Sequence, residues 1–600
     1  MDGQPAIADH GLIGDLQTSA LVATDGSVDW FCCPRFDSPS LFGAILDPER
    51  GGRCRIGPAD RRHIARQLYF PDTAILITRF QLPSGTGEVV DFMPPAAAEA
   101  TTRHRLIRMV RCVRGEVDFE VEVAPRFDYG RKPHTAHLTE SGAVFESDDL
   151  TLTAHAVREP GDEPLAKVAV LDNGDVLGRL TLRAGQVRGI VLESDSDGPP
   201  RTIRVADVER AFAETVEFWH DWLARSTYQG RWREQVHRSA VTLKLLTYAP
   251  TGAIIAAPTA GLPEQLGGER NWDYRYTWVR DASFAVNSLL GLGFTDEAAD
   301  FARWLGDRYQ QADGPLKIMY RVDGSSNLGE EVIAHWSGYR DSRPVRVGNG
   351  AADHLQLDIY GELLDSVHQA NRRGLPVGHQ GWQALSALLN WLGENWDRPE
   401  EGIWETRGGR ADFTYGRVMS WVAFDRGLRL AESLRLPAPV AVWRSHRDRI
   451  HDQVWARGLR QGAFVQRYDS DVLDSALLRM PLVGFISPRD PVWLTTLAAM
   501  ERDLVVDSLV YRYNPSAAPD GLAGDEGTFS LCTFNYVTAL ARAGQVTKAR
   551  LVFEKMLTYG NHVGLYAEEI GPTGDQLGNF PQAFTHLALI DAALAIDQAL

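Results

Sequence analysis

Hydrophobic and polar positions alternate with a period of two through the first third of this chain, and with a period near 3.6 through the rest. The runs 19–24 and 27–31 flank Asp25-Gly26, a strong hairpin signal. Segments 74–80, 105–113, 117–123 and 151–157 also read as strands, separated by turn residues. Many short strands without intervening helices predict an antiparallel β-sandwich over residues 1–205.

The period changes near Val205. Phe212, Val216, Phe218, Trp219 and Trp222 form an apolar stripe that predicts a helix over 208–224, inside a linker of residues 206–231. From residue 232 to 600 the pattern is helical. Helices are expected at 233–248, 281–293, 295–311, 351–372, 379–396, 412–434, 437–459, 528–543, 546–559 and 582–598. No sequence repeat is visible, so a solenoid of identical units is not indicated. The helices are expected to form hairpins closed into an α/α toroid, which gathers its loops at one end. That closure goes beyond what periodicity itself shows.

A chain of 600 residues is too long for one ordinary core. Its 44% apolar and 24% charged content fit a globular protein. The formal charge of −17 argues against nucleic acid or an anionic membrane as partner. There is no basic run, no apolar stretch of membrane-spanning length, and no positively charged export signal at Met1-Asp2-Gly3-Gln4. Cys32, Cys33, Cys54, Cys112 and Cys532 are irregularly spaced, without a metal-binding motif. Free thiols in a reducing cytoplasm, with no metal and no cofactor, are the expectation. His10, His335, His354 and His586 are scattered and read as structural.

Two short acidic motifs carry the candidate chemistry. Gly402-Ile403-Trp404-Glu405-Thr406-Arg407-Gly408-Gly409 and Gly564-Leu565-Tyr566-Ala567-Glu568-Glu569-Ile570 each place a carboxylate near an aromatic residue in a Gly-bounded loop. Two carboxylates on facing loops are the minimum equipment for hydrolysing a glycosidic bond. Trp404 is expected to lower the dielectric around Glu405 and raise its pKa, as a general acid requires. Read singly, each glutamate also fits a solvated loop, and the residues alone leave Glu568 or Glu569 open as the base. Nine of the sixteen tryptophans fall between Trp272 and Trp421, which suits stacking on sugar rings. Arg280 and Asp281 could grip sugar hydroxyls, although Asp281 could equally cap the helix that follows. Val347-Gly348-Asn349-Gly350 lacks the lysine of a phosphate loop.

At these motifs the chain resembles glycoside hydrolase family 15, which holds glucoamylases, glucodextranases and one class of bacterial and archaeal trehalases. The matching stretches are 12–15 through 36–42, 270–284, 402–425, 524–529 and 564–584. The opening segment resembles the N-terminal domain of the trehalase-like branch. The resemblance implies a β-sandwich followed by an (α/α)6 barrel, and inversion at the anomeric carbon of a non-reducing α-glucoside. It implies Glu405 as general acid and Glu568 as general base. It also implies Arg280, Asp281, Trp272, Trp404, Arg512 and Glu569 around the substrate. Inversion by such a pair requires carboxyl groups roughly 6.5–9.5 Å apart, to admit a water.

Two departures stand out. Thr406 replaces the second acidic residue of fungal glucoamylases, and Asn535 follows Cys532-Thr533-Phe534 where this branch often has Trp. The expected activity is release of β-glucose from a small α-glucoside, with trehalose first and glucoamylase or α-1,6-glucosidase specificity as alternatives. A disaccharide phosphorylase or a non-catalytic sugar-binding protein are the remote rivals. Oligomeric state is left open, a homo-oligomer included.

Overall fold

The computed structural model describes residues 4–159, 162, 166–310 and 315–600. Met1–Gly3 and Gln311, the last residue of one expected helix, lie outside them. Residues 10–194 build two antiparallel sheets that share one long strand, Arg105–Ala124. The expected strands 105–113 and 117–123 are its two halves. The first half pairs with Gly85–Phe92 and Val187–Ser194, the second with Arg53–Pro58 and Val176–Arg183. The change of partners occurs at Gly115, whose φ is 71° and where a Cβ would lie 2.1 Å from the Ser84 carbonyl oxygen. Only glycine fits there. Trp30, Phe42, Phe80, Phe119 and Phe145 are buried in one apolar core.

The first long helix, α1 (Val205–Leu223), joins the two regions as part of the packing. Trp222 stacks on Phe294 at 4.2 Å and donates its indole N–H to Glu297 at 2.6 Å. Eleven further long helices follow among the described residues: α2 (Arg233–Leu245), α3 (Ala282–Leu292), α4 (Thr295–Gln310), α5 (Asp358–Arg372), α6 (His379–Asn395), α7 (Thr414–Leu434), α8 (Val440–Arg457), α9 (Pro491–Leu504), α10 (Ser530–Arg542), α11 (Val546–Leu557) and α12 (Ala583–Ala599). They form a double ring. Its inner members are α3, α5, α7, the short 3-10 turn Ser475–Arg479, α10 and α12, with α12 packing back on α3. The inner helices α7, α10 and α12 are buried almost throughout, whereas outer helices such as α8 and α11 bury one stripe.

Three expectations need correction. The helix expected from 351 begins only at Asp358, because Asn349 caps a separate turn at Gly350–Asp353 by accepting the Ala351 N–H at 3.0 Å. Helix α9 is additional; Asp490 caps it by accepting the Val492 N–H at 2.8 Å, and Pro491 opens it. The fourth of the six inner elements is a single turn rather than a long helix, because Pro481 cannot continue the ladder.

The sandwich and the ring meet through polar contacts that are themselves buried. Trp30 donates its indole N–H to the Pro258 carbonyl at 2.7 Å. Arg275, 1% exposed, pairs with Asp273 at 2.6 Å and donates to the Ser38 carbonyl at 2.7 Å and the Tyr129 hydroxyl at 2.9 Å. Removing one partner of a buried pair strands the other charge. Arg275→Ala is therefore expected to destabilise the protein by about 3–5 kcal/mol, measured as a shift in chemical denaturation.

Candidate active site

A chain that alternates inner and outer helices brings every inner element in from the same end. The connections preceding α3, α5, α7, the turn at 475–479, α10 and α12 therefore converge. They carry, in order, Trp272–Asp281, Asn349–Gln356, Glu405, Asp474, Arg512–Glu526 and Glu568. The positive ends of the inner helix dipoles face this cluster, a setting that favours carboxylates.

The segment before α3 shows how local structure aims side chains. Asn271–Asp273 pairs with Ala260–Pro263, and Thr277–Trp278 with Met319–Tyr320. Extended chain sends neighbours to opposite faces. Asp273 and Arg275 point into the sandwich interface, whereas Trp272 and Tyr274 line a cavity with Glu264, Glu405, Arg407 and Arg512.

Glu405 has φ 57°, a left-handed conformation unusual for a residue with a side chain. Such strain collects at functional sites. Its Oε1 accepts the Trp278 indole N–H at 2.7 Å and an Arg280 N–H at 3.2 Å. The tryptophan that holds Glu405 is thus Trp278, not Trp404, whose indole N–H is turned to Asp474 at 2.9 Å. Trp404 still lines the cavity. Asp281 does not cap α3; its Oδ1 accepts the Arg280 Nε–H at 2.9 Å.

Glu568 is 1% exposed. Its Oε1 accepts the Tyr274 hydroxyl proton at 2.6 Å, and its Oε2 is buried without a partner. Burial pushes its carboxyl up to about 7, against the Tyr274 hydrogen bond and the charges of Arg512 and Arg280. The Tyr274 and Trp278 rings meet edge to face at 5.4 Å. One continuous path therefore runs from Glu568 through Tyr274 and Trp278 to Glu405. Glu569 takes a different partner, accepting the Gly527 N–H at 2.7 Å, and burial beside Glu264 and Glu526 holds its carboxyl well above the usual range.

Several residues of the cluster carried no individual sequence signal. Glu526 accepts from both Nε and Nη2 of Arg512, the Nε bond being 2.9 Å, and pairs with Arg270 at 2.8 Å. Asp520 grips Arg270 through two bonds, at 2.7 and 3.0 Å. Glu264 is raised by burial, with Arg512 at 3.5 Å only partly offsetting it. Arg512 lies 4.2 Å from the Phe529 ring centre. The glycine-rich run at 347–350 proves to be part of this site, since Asn349 and Ala351 line the cavity. Trp272 lies against two guanidinium groups, Arg407 at 4.5 Å and Arg346 at 4.8 Å.

A larger apolar cavity of about 510 Å³ lies between the sheets of the sandwich, lined by residues such as Val121, Ala154 and Leu180, remote from the carboxylates. Among the described residues, no group of His, Cys, Asp or Glu is arranged to hold a metal ion, and no helix is long and apolar enough to cross a membrane. All five cysteines are free and buried.

Folding lifts the Glu568 carboxyl from the ordinary range near 4.5 to about 7. The protonated form is thereby favoured in the folded state, and that stability is lost as pH rises through 7. Glu568→Gln, which carries no such charge, is expected to match the parent near pH 4 and to exceed it by about 2–3 kcal/mol at pH 8, as denaturation at the two pH values would reveal.

Comparison with known proteins places this geometry in a family. Residues 2–161 match the domain described as Trehalase-like, N-terminal. The trehalase of Mycolicibacterium smegmatis is 40% identical, over 99% of this chain and 92% of its own length. The trehalase of Thermoplasma volcanium is 36% identical, over 100% and 95%. A bacterial glucoamylase solved with acarbose shares the fold, with a TM-score of 0.73 at 13% identity, over 99% of this chain and 94% of its own. With residues 230–594 matching Glycosyl hydrolases family 15 as well, the chain belongs to that glycoside hydrolase family.

Proposed function

We propose that this enzyme hydrolyses trehalose with inversion, Glu405 acting as general acid and Glu568 as general base. The observation that carries the reading is the Glu568–Tyr274–Trp278–Glu405 path, which ties two carboxylates in unlike environments to one rigid strand segment. Which of the two is the acid and which the base follows the family resemblance at 402–425 and 564–584. Trehalose as the substrate rests on the trehalases that resemble the chain over nearly its whole length.

In this mechanism Glu405 delivers its proton to the oxygen between the two sugars. Trp278 and Arg280 fix the orientation of that carboxyl. Positive charge then builds on the anomeric carbon and ring oxygen. A water on the opposite face attacks as Glu568 removes its proton through Oε2, the oxygen with no partner in the protein. Tyr274 holds Oε1, leaving Oε2 as the basic atom. Arg280, Asp281 and Arg512 hold the hydroxyls of the sugar being cleaved. Glu569 and Glu526 act one step away, by setting the charge around Arg512 and Glu568.

Glu405→Gln and Glu568→Gln should each lower kcat on trehalose by about a thousandfold or more while the protein stays folded. NMR of the first products should show β- and α-glucose in equal amounts, the α anomer being the leaving ring; α-glucose alone would overturn inversion, and glucose 1-phosphate would indicate a phosphorylase. Faster turnover of maltose or isomaltose than of trehalose would overturn the substrate assignment while leaving the mechanism intact. The base works when ionised, so kcat/KM should rise with pH through about 7. Tyr274→Phe deletes a bond that favours the ionised form, and the rising limb should move to higher pH; a limb that stays in place would remove Glu568 from the role.

A further inference from the structure

Beyond the cleaved bond, the pocket must accommodate whatever leaves. The leaving sugar sits beside the acid, so the wall it meets is the remainder of the Glu405 loop. Thr406 is already engaged: its hydroxyl donates to the Asp520 carbonyl at 3.2 Å and accepts the Gly408 N–H at 3.1 Å. The next side chain is Arg407. Its guanidinium lies 4.5 Å from the Trp272 ring centre and donates to both oxygens of Glu330, at 2.7 and 3.4 Å. Glu330 is itself fixed, accepting the Gly350 N–H at 3.0 Å and pairing with Arg346 at 3.4 Å. Arg346 lies against the same tryptophan. A Cβ at position 350 would sit 3.1 Å from a Glu330 oxygen and 3.5 Å from an Arg407 nitrogen, so the loop before α5 closes over the pair.

Exposure orders these groups. The Arg280 and Asp281 side chains are 13% and 11% exposed, Arg407 30%. Arg407 therefore stands at the mouth, and Glu330 sets where it stands. A guanidinium carries five N–H donors in a planar fork. Glu330 takes two of them, and adjacent sugar hydroxyls are natural acceptors for others.

We propose that Arg407, braced by Glu330 against Trp272, is a specificity-determining residue for the leaving sugar: it hydrogen-bonds one leaving glucose and blocks a third ring. Trp272 serves as the platform for Arg407 rather than for the sugar. The proposal rests on Glu405 being the acid and deepens the reading of the enzyme as one for a disaccharide.

The test measures kcat/KM of the parent, Arg407→Ala, Arg407→Lys and Glu330→Gln on trehalose, maltotriose and α-glucosyl fluoride, with melting temperature alongside. The fluoride has no leaving sugar. Arg407→Ala should lose at least about tenfold more on trehalose than on the fluoride, and its maltotriose-to-trehalose ratio should rise. Glu330→Gln should move the same way by less, and Lys should restore part of the loss. Equal losses on trehalose and fluoride would assign Arg407 a purely structural role and overturn the proposal, as would an unchanged maltotriose-to-trehalose ratio. A parent enzyme that cleaves another disaccharide in preference to trehalose defeats the substrate reading alone; the same comparison on that disaccharide then decides on Arg407.

Discussion

The buried pair Asp273–Arg275 is the constraint on which the site depends. It sits at 1% exposure or less between the sandwich and the ring, on the same short segment that presents Trp272 and Tyr274 to the cavity. Because extended chain alternates faces, locking the odd residues into the interface also locks the even ones into the pocket. The sandwich thus orients the residues that hold both carboxylates, through Ser38, Cys32 and Tyr129 on its side of the pair.

The second constraint is electrostatic. Glu264, Glu526, Glu568 and Glu569 lie close together with little water around them. Burial pushes the carboxyls of Glu264, Glu568 and Glu569 upward. Arg270, Arg280 and Arg512 hold the group together, assisted by helix dipoles that share one polarity. The differences within the group follow from local pairing. Glu526 has two guanidinium partners, whereas Glu568 has one hydroxyl partner and a second, buried oxygen without one.

Much of this was legible in the chain, for identifiable reasons. The strand Thr151–Val157 has the bounds that its alternation predicts, although Thr153 and His155 are buried too, and most inner helices begin within a few residues of where periodicity starts them. Helix α9 carries a capping signature in the sequence, Asp490-Pro491. The single turn at Ser475–Arg479 was illegible because an element of that length has no period. At the site, Glu405 and Glu568 could be picked out by their motifs. Glu264 could not, since nothing around Leu262-Pro263-Glu264 separates it from a surface glutamate; only the fold brings it to Arg512. Sequence neighbours in a tight turn point apart, so the indole N–H that reaches Glu405 comes from Trp278, far away in the chain, while Trp404 lines the same cavity.

The left-handed backbone of Glu405 bears on how this enzyme can change over generations. Glycine adopts that conformation without penalty, and glutamate does not. With Glu405 as the proposed acid, folding and chemistry pull in opposite directions at this position. Selection for robustness alone would favour glycine there, and a lineage relieved of its substrate would be expected to lose Glu405 while retaining the ring around it.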